Sequence, residues 1–369
     1  MEAADLIAAE FWQQEVPVLM GREGNTPSGI PGLIYFQSSG STGEPKWIGL
    51  SRAALQVSAA AVNAHLRVDS TSCWVGALPL HHVGGFGVAA RTWQAGCRIE
   101  CYQGKWDAAG FTAWLGECDG THLSLVPTQV HDLVAAGLHA PASLWAIVVG
   151  GGILPEATGR AARELGWPVL ASYGMTEAAS QIATQGLDLL EKPYVTGPLE
   201  LLPCWEAKGD DDGRILIRGA ALFSGVLKET SDGWKYEEHR GEWFASSDLG
   251  RVVDRTLSIA GRADTLVKIL GELVDPVAVE LELLAIADAM PGSAAVVAIP
   301  DSRAGKRLVL VHENVTQALP WPLALERYHA TCPGFRRISG LIQIESLPKS
   351  PLGKVRRSAL TQWAANKFI

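Results

Sequence analysis

The stretch "YFQSSGSTGEPKWIGLS", residues 35–51, leaves an apolar run for Ser38, Ser39, Gly40, Ser41, Thr42 and Gly43, then turns apolar again just past a single cation, Lys46. Glycines let backbone N–H groups turn inward, hydroxyls donate hydrogen bonds and an ammonium neutralises charge, so these residues suit an oxygen-rich anion, phosphate first. The pattern is not a Walker A loop, because Pro45 and Trp47 stand where that loop needs a glycine and a hydroxyl residue. A kinase or GTPase of that type is disfavoured. A plain polar hairpin turn between "LIYFQ" and "WIGLS" would use the same residues, so the rest of the chain has to choose.

Outward from this stretch, strand-like runs alternate with helical patterns. "LIYFQ" precedes a helix capped by Ser51, "RAALQVSAAAVNAHL"; "CWVGALPL" precedes "GFGVAARTWQAG"; "RIECYQ" precedes the helix "DAAGFTAWLGE"; "HLSLV", "WAIVVGG" and "PVLASY" follow with "PTQVHDLVAAG" and "LPEATGRAARELG" between them. Such alternation predicts an α/β fold with a largely parallel sheet. From about residue 195 the pieces become turn-rich and strand-like, which predicts a β-rich subdomain over 195–263 closing a large domain, 1–263. A smaller α+β unit over 264–369 follows, with helices at "PVAVELELLAIADA" and "PLALERYHATC" and strands at "AAVVAI" and "RLVLVHE". The join near "GRADTLVKILGE" has no long linker, so any hinge there is short. There is no internal repeat.

Composition narrows the partners. At 369 residues with 47% hydrophobic and 19% charged side chains the chain is globular, and a formal charge of −8 argues against general nucleic-acid binding. Small molecules are the expected partners, and a homo-oligomer is left open. Six cysteines without CxxC spacing read as reduced thiols in a cytoplasmic protein rather than a zinc site. "MEAADLIAAEFWQQE" lacks the basic-then-apolar order of a signal peptide, and no apolar run approaches the roughly 20 residues of a membrane span. Thirteen tryptophans are read as core packing and surface anchors.

Five segments matter together: "SSGSTGEPK" (38–46), "LPLHHVGG" (78–85), "SYGMTEAASQ" (172–181), "SSDLGRV" (246–252) with "GRADTLVK" (261–268), and "LPKSPLGKVRR" (347–357). In this order and spacing they resemble the adenylate-forming superfamily of acyl-CoA synthetases, luciferases and peptide-synthetase adenylation domains. The resemblance covers residues 33–369. It departs at the front, where most members carry more residues before the phosphate loop, which implies a first subdomain that is missing or reduced. "SYGMTEAASQIAT" is most similar to the o-succinylbenzoate–CoA ligases of menaquinone biosynthesis.

The resemblance implies two half-reactions, in which a carboxylate attacks the α-phosphate of ATP and a thiol then displaces AMP, with Mg²⁺ as cofactor and coenzyme A as co-substrate. Nucleotidyl transfer of this kind depends on positioning, which can supply about 7–11 kcal/mol. By resemblance Ser39, Thr42 and Lys46 would cradle the β- and γ-phosphates. Tyr173, followed by Gly174, would stack on adenine, with the backbone of Gly150, Gly151 and Gly152 on its other face; a simple strand-to-helix turn is the alternative for those three glycines. Thr176 would contact the α-phosphate and Glu177 would hold Mg²⁺, a hard cation that takes oxygen ligands, although "MTEAAS" also reads as a helix cap. Asp248, an acceptor only, would take both ribose hydroxyls. The family's usual Thr-Gly before it is here Ser246-Ser247. Arg262 would bind ribose or α-phosphate, unless it is a surface ion pair, and Asp264 falls at the family's hinge.

Lys354 would bridge the attacking carboxylate and the α-phosphate, a role whose loss typically costs about 10²–10³ in rate; without the other motifs it would be one cation of a solvated basic tail. His82 matches the histidine beside the acyl site that admits the thiol, or else is structural with His81. Arg91 lies in an otherwise apolar helix, and a buried guanidinium needs an anion: either the second carboxylate of the substrate, as the resemblance implies, or an internal protein carboxylate. Ser180 and Gln181 would line the same pocket. Another aryl or fatty acyl-CoA ligase, or an adenylation domain loading a carrier protein, would use most of the same machinery.

Overall fold

The computed structural model describes residues 2–22, 26–39, 45–231, 233–314, 319–350 and 355–367. They fall into two compact units, Met1–Ser246 with Arg251–Ser258, and Ser247–Gly250 with Ile259–Ile369. Thr42 and Lys354 lie outside the described residues.

The first unit opens with two short helices, α1 (Ala3–Leu6) and α2 (Ala9–Gln13), and a short strand β1 (Val18–Leu19). β2 (Ile34–Ser39) and β3 (Pro45–Leu50) pair antiparallel from Ile34↔Leu50 to Ser39↔Pro45, so Ser38 stands opposite Lys46. The Ser51 hydroxyl accepts from the Ala54 N–H at 3.0 Å and starts α3 (Arg52–Leu66), as its sequence predicts.

Strand and helix then alternate: β4 (Cys73–Gly76), α4 (Val83–Ala95), β5 (Arg98–Cys101), α5 (Ala108–Glu117), β6 (His122–Leu125), α6 (Pro127–Ala135), β7 (Ala146–Val149), α7 (Glu156–Glu164) and β8 (Val169–Met175). These five strands are parallel, in the spatial order β5-β4-β6-β7-β8. Every residue of β4, β6 and β7 is buried; β7 runs apolar without alternation accordingly, while β6 buries the polar His122 and Ser124 between its leucines.

The remaining strands are β9 (Ser180–Thr184), β10 (Leu199–Leu201), β11 (Trp205–Gly209), β12 (Arg214–Gly219), β13 (Gly225–Thr230), β14 (Gly233–Glu238), β15 (Phe244–Val253) and β16 (Thr256–Arg262). They join existing sheets. The large sheet has eleven strands, ordered β11-β12-β15-β16-β10-β9-β8-β7-β6-β4-β5, and the small one five, β1-β2-β3-β13-β14. The strands of the alternating half are parallel, as the alternation predicts, and the strands of the β-rich part that follow join them antiparallel, because short connections such as the one from Met175 to Ser180 cannot cross over to a parallel position.

In the second unit β17 (Val267–Ile269) and β18 (Glu272–Val274) form a hairpin before α8 (Pro276–Ala287), β19 (Ala294–Asp301), β20 (Gly305–Glu313), α9 (Trp321–Thr331), β21 (Ile338–Ile344) and α10 (Arg357–Ala365). The sheet order is β19-β20-β21. Ala294, Val296 and Ala298 pack with residues of α8 and α9, while Ala295, Val297 and Ile299 pack with Leu360 and Ala364 of α10. The strand's period of two thus feeds two apolar layers, and "AAVVAI" is apolar at every position because both faces are covered.

Candidate functional site

Ligands of open α/β sheets collect beyond the carboxyl ends of the parallel strands. Several of the residues singled out from sequence follow those ends: His82 after β4, Gly150–Gly152 after β7, Tyr173 and Gly174 in the last turn of β8, and Thr176 and Glu177 just past it. β7 and β8 are neighbours, with Val149 paired to Ala171, so the three glycines and Tyr173 leave the sheet side by side. Gly150–Gly152 are partly or fully exposed.

The segment after β8 is not a helix with an N-terminal cap. Thr176–Ala178 makes a single 3₁₀ turn, Ala179 and Ser180 take positive φ of 50° and 100°, and β9 starts at once. Two consecutive non-glycine residues on that side of the map store strain of order 1–3 kcal/mol each. The Ser58 hydroxyl of α3 donates to the Ala179 carbonyl at 3.0 Å and helps to hold the turn. Gly174 is required here: a Cβ on it would sit 1.6 Å from the Ser180 carbonyl oxygen. The hairpin presents Glu177 to β3, where Lys46 Nζ lies 3.6 Å from Glu177 Oε1. Lys46 is 37% exposed and Glu177 16%, so cation and carboxylate share one half-open spot. Ser39 ends β2 opposite Pro45, and the Ser38 hydroxyl beside it is buried with no partner among the described residues.

One carboxylate is a poor metal cage, and among the described residues no group of three or more His, Cys, Asp or Glu could hold an ion. A single Glu does fit Mg²⁺, which keeps several waters and takes one or two carboxylates along with substrate phosphates.

His82 is the N-cap residue of α4, but its side chain does not cap. Its ring lies 4.3 Å from that of His81, and its Nε2 is buried without a hydrogen-bond partner among the described residues. Burial, and then the neighbouring His81, push its pKa down to about 4. It is a neutral imidazole with one free nitrogen.

Arg91 is 2% exposed in α4. It donates from one Nη to Ser124 Oγ at 3.1 Å and from the other to Ser180 Oγ at 3.5 Å, and its guanidinium carbon lies 5.1 Å from the centre of the Trp74 ring. No carboxylate among the described residues pairs with it. Burial alone draws its pKa down to about 9, with no nearby anion opposing the shift. The internal-pair alternative for Arg91 finds no carboxylate partner among the described residues. Gly87, Ala90 and Arg91 of α4 face Leu55 and Ser58 of α3 and Ala179 across a narrow closed gap. Gly87 leaves room for the cation, since a Cβ there would lie 3.1 Å from its Nη. Ser180 is thus brought to Arg91. Gln181 is held otherwise, buried with its Oε1 accepting from Thr184 Oγ1 at 2.7 Å.

Ser124 and Trp74 complete this surrounding, and sequence reasoning did not single them out. The signal for Ser124 was faint but present, a lone hydroxyl in the apolar strand "HLSLV". Trp74 had none, being one of thirteen tryptophans.

The second unit brings three more of the chosen residues together. Arg262 donates to Asp248 Oδ1 at 3.1 Å and forks onto Asp264, from Nε at 2.8 Å and Nη at 2.6 Å. Asp248 is 8% exposed and lies against the Arg262 guanidinium.

The chain belongs to the AMP-binding enzyme family, whose sequence profile matches residues 21–227. Among individual relatives, it is 31% identical over 331 residues to the 2-succinylbenzoate–CoA ligase of Salmonella typhimurium, covering 88% of this chain and 68% of that one. It is also 31% identical over 295 residues to the Enterococcus faecalis 2-succinylbenzoate–CoA ligase, covering 75% of this chain but only 58% of the relative's length. Solved structures agree on the fold. A variant of E. coli MenE with bound OSB-AMS superposes with a TM-score of 0.73 at 25% identity, over 94% of this chain and 72% of that one. The o-succinylbenzoate CoA synthetase of Bacillus subtilis with OSB-AMP gives 0.76 at 24% identity, over 89% and 68%. The adenylate-forming fold expected from the motifs is the fold of this chain. None of its described helices is long and apolar enough to cross a membrane.

Proposed function

We propose that this protein joins o-succinylbenzoate to coenzyme A at the expense of ATP, as an AMP-forming acid–thiol ligase. A carboxylate oxygen of the substrate attacks the α-phosphorus, the bond to the β-phosphate breaks and pyrophosphate leaves. The thiol sulfur then attacks the acyl carbon, its proton goes to solvent or a base, and AMP departs with the carboxylate oxygen. The observation that carries the choice of substrate is Arg91, a buried guanidinium with two hydroxyl partners and no carboxylate. A second substrate carboxylate supplies the missing charge, whereas a monocarboxylic acid leaves the cation uncompensated.

In this reading Lys46, with Ser39 and Thr42, takes the leaving phosphates. Glu177 would hold Mg²⁺, which would supply charge neutralisation to the phosphates, and Thr176 contacts the α-phosphate. The backbone of Gly150–Gly152 and the Tyr173–Gly174 segment take the adenine, Asp248 and Arg262 the ribose and phosphate, and Lys354 stabilises charge as the acid attacks. Ser180 belongs to the acyl pocket, and Gln181, held by Thr184, supports the strand behind it. His82, beside the acyl site, would admit the thiol; with its pKa pushed down to about 4 it is a weak base and is not assigned the thiol proton. Asp264 is the hinge of the 264–369 unit.

The test is pyrophosphate release with ATP and Mg²⁺, comparing o-succinylbenzoate, benzoate and a medium-chain fatty acid, for the parent and Arg91→Ala. The parent should prefer the dicarboxylate, and the variant should lose that preference by about 10²-fold, the scale of a charge-assisted contact of 2–3 kcal/mol. Equal turnover of the three acids by the parent would remove the substrate while leaving adenylation standing.

A further inference from the structure

Asn63 lies in the last turn of α3 and is 4% exposed. A buried carboxamide is costly unless its groups are paired, and the pairings of this one run toward Arg91. Its Nδ2 donates to the Arg91 carbonyl and to Gln94 Oε1, each at 2.8 Å, and its Oδ1 accepts from the Trp74 indole N–H at 3.3 Å. These partners fix which way the amide faces, because an indole nitrogen only donates and a main-chain carbonyl only accepts. Trp74 is wholly buried in β4, and its ring is the one that lies 5.1 Å from the Arg91 guanidinium carbon. One side chain therefore holds both the peptide that carries Arg91 and the ring against which its cation rests.

The base of this contact is rigid. Arg67, just past the end of α3, takes a positive φ of 57°, and the Val68 N–H donates to the Asn63 carbonyl at 2.8 Å, so the helix end is closed around Asn63. On the other side Gln94 follows Arg91 by three residues, and the two stand on one face of α4. Asn63 thus grips α4 near its end at two points and sets its rotation against α3. A small rotation of the helix is carried out to the guanidinium by a long side chain, where it alters the 3.1 Å contact with Ser124 Oγ and the 3.5 Å contact with Ser180 Oγ. A carboxamide also holds Arg91 without cancelling its charge, which a carboxylate at this position would do.

We propose that Asn63 is a positioning residue for Arg91, acting through the helix backbone and through Trp74 so that the guanidinium meets the second carboxylate of the acid; this rests on the function proposed above. The contact it serves is made before the attack as well as during it. Its loss therefore shows in KM for the acid more than in kcat or in KM for ATP.

Pyrophosphate release from ATP and o-succinylbenzoate is measured for the parent, Asn63→Leu, Trp74→Phe, Arg91→Ala and the double variant Asn63→Leu/Arg91→Ala, with melting temperatures alongside. Leucine fills the volume of the amide without its hydrogen bonds, and phenylalanine keeps a ring near the cation but loses the indole N–H. The expected result is a rise of about 10-fold in KM for o-succinylbenzoate in Asn63→Leu, a smaller rise in Trp74→Phe, and KM for ATP within about twofold in both. The double variant should be no worse than Arg91→Ala alone. Equal rises in the two KM values, additive losses in the double variant, or a parent-like Asn63→Leu beside an impaired Arg91→Ala would overturn the positioning role. A parent-like Arg91→Ala would bring down the substrate reading and this proposal with it. Should Asn63→Leu fail to fold, Trp74→Phe and its double variant with Arg91→Ala decide by the same criteria.

Discussion

A buried guanidinium that no carboxylate among the described residues neutralises is a cost that the fold carries. Arg91 spends two hydrogen bonds on Ser124 and Ser180 and leaves its charge unopposed. Arg91→Met should therefore hold or raise the melting temperature while abolishing discrimination in favour of the dicarboxylate, the usual trade of stability against function. Calorimetry of parent and variant checks this, and a large drop in melting temperature would mean that the cation has a structural role. His82 gives a pH effect. Its pKa is about 4 in the folded protein and near 6.5 when unfolded, so between those values the unfolded chain holds more protons. The stability due to neutral His82 is complete above pH 6.5 and is lost as pH falls towards 4. His82→Asn should flatten the stability curve in that window, measured by urea unfolding at a series of pH values. At this scale the sequence displayed the cation in an apolar helix and the histidine doublet, since both break a local pattern. It could not display Ser124 and Trp74, because what makes them matter is a neighbour 33 and 17 positions away in the chain.

Elements were legible where one helix or strand settles its own pattern. Ser51 capping α3 is local, and α8 and α9 form helices where their sequences predict them. The helix-cap alternative for "MTEAAS" is good local chemistry, and the constraint that defeats it lies in the hairpin: Gly174 must pass against Ser180 and leaves no path for a helix. That contact gives a sharp prediction. Gly174→Ala should destabilise the first unit by about 1–3 kcal/mol through overpacking, and because the turn carries Thr176 and Glu177 it should weaken ATP binding as well. Thermal unfolding with and without ATP and Mg²⁺ reads both effects, and a variant as stable as the parent would show that the hairpin can open to admit a methyl group.

For the whole molecule, the order of the strands was the hidden part. Alternation announced the parallel strands, but nothing local says that β13 and β14 leave the neighbourhood of β12 to complete a sheet begun by β2 and β3, nearly 200 residues earlier. Partnership of that kind is decided by which edges remain uncovered once the early elements have packed. The outer edge of β19 is one such place, and it bears on how the protein ages. On this apolar strand the Val296 N–H donates to Glu280 and the Val296 carbonyl accepts from Arg357, so an ion pair of side chains occupies backbone groups that would otherwise be the template on which a foreign strand could grow. Variants that remove Glu280 or Arg357 should therefore turn cloudy on storage well below their melting temperatures, with light scattering and a cross-β signal rising before any loss of helix. The charges at the rim of that sheet then serve as a guard against self-association.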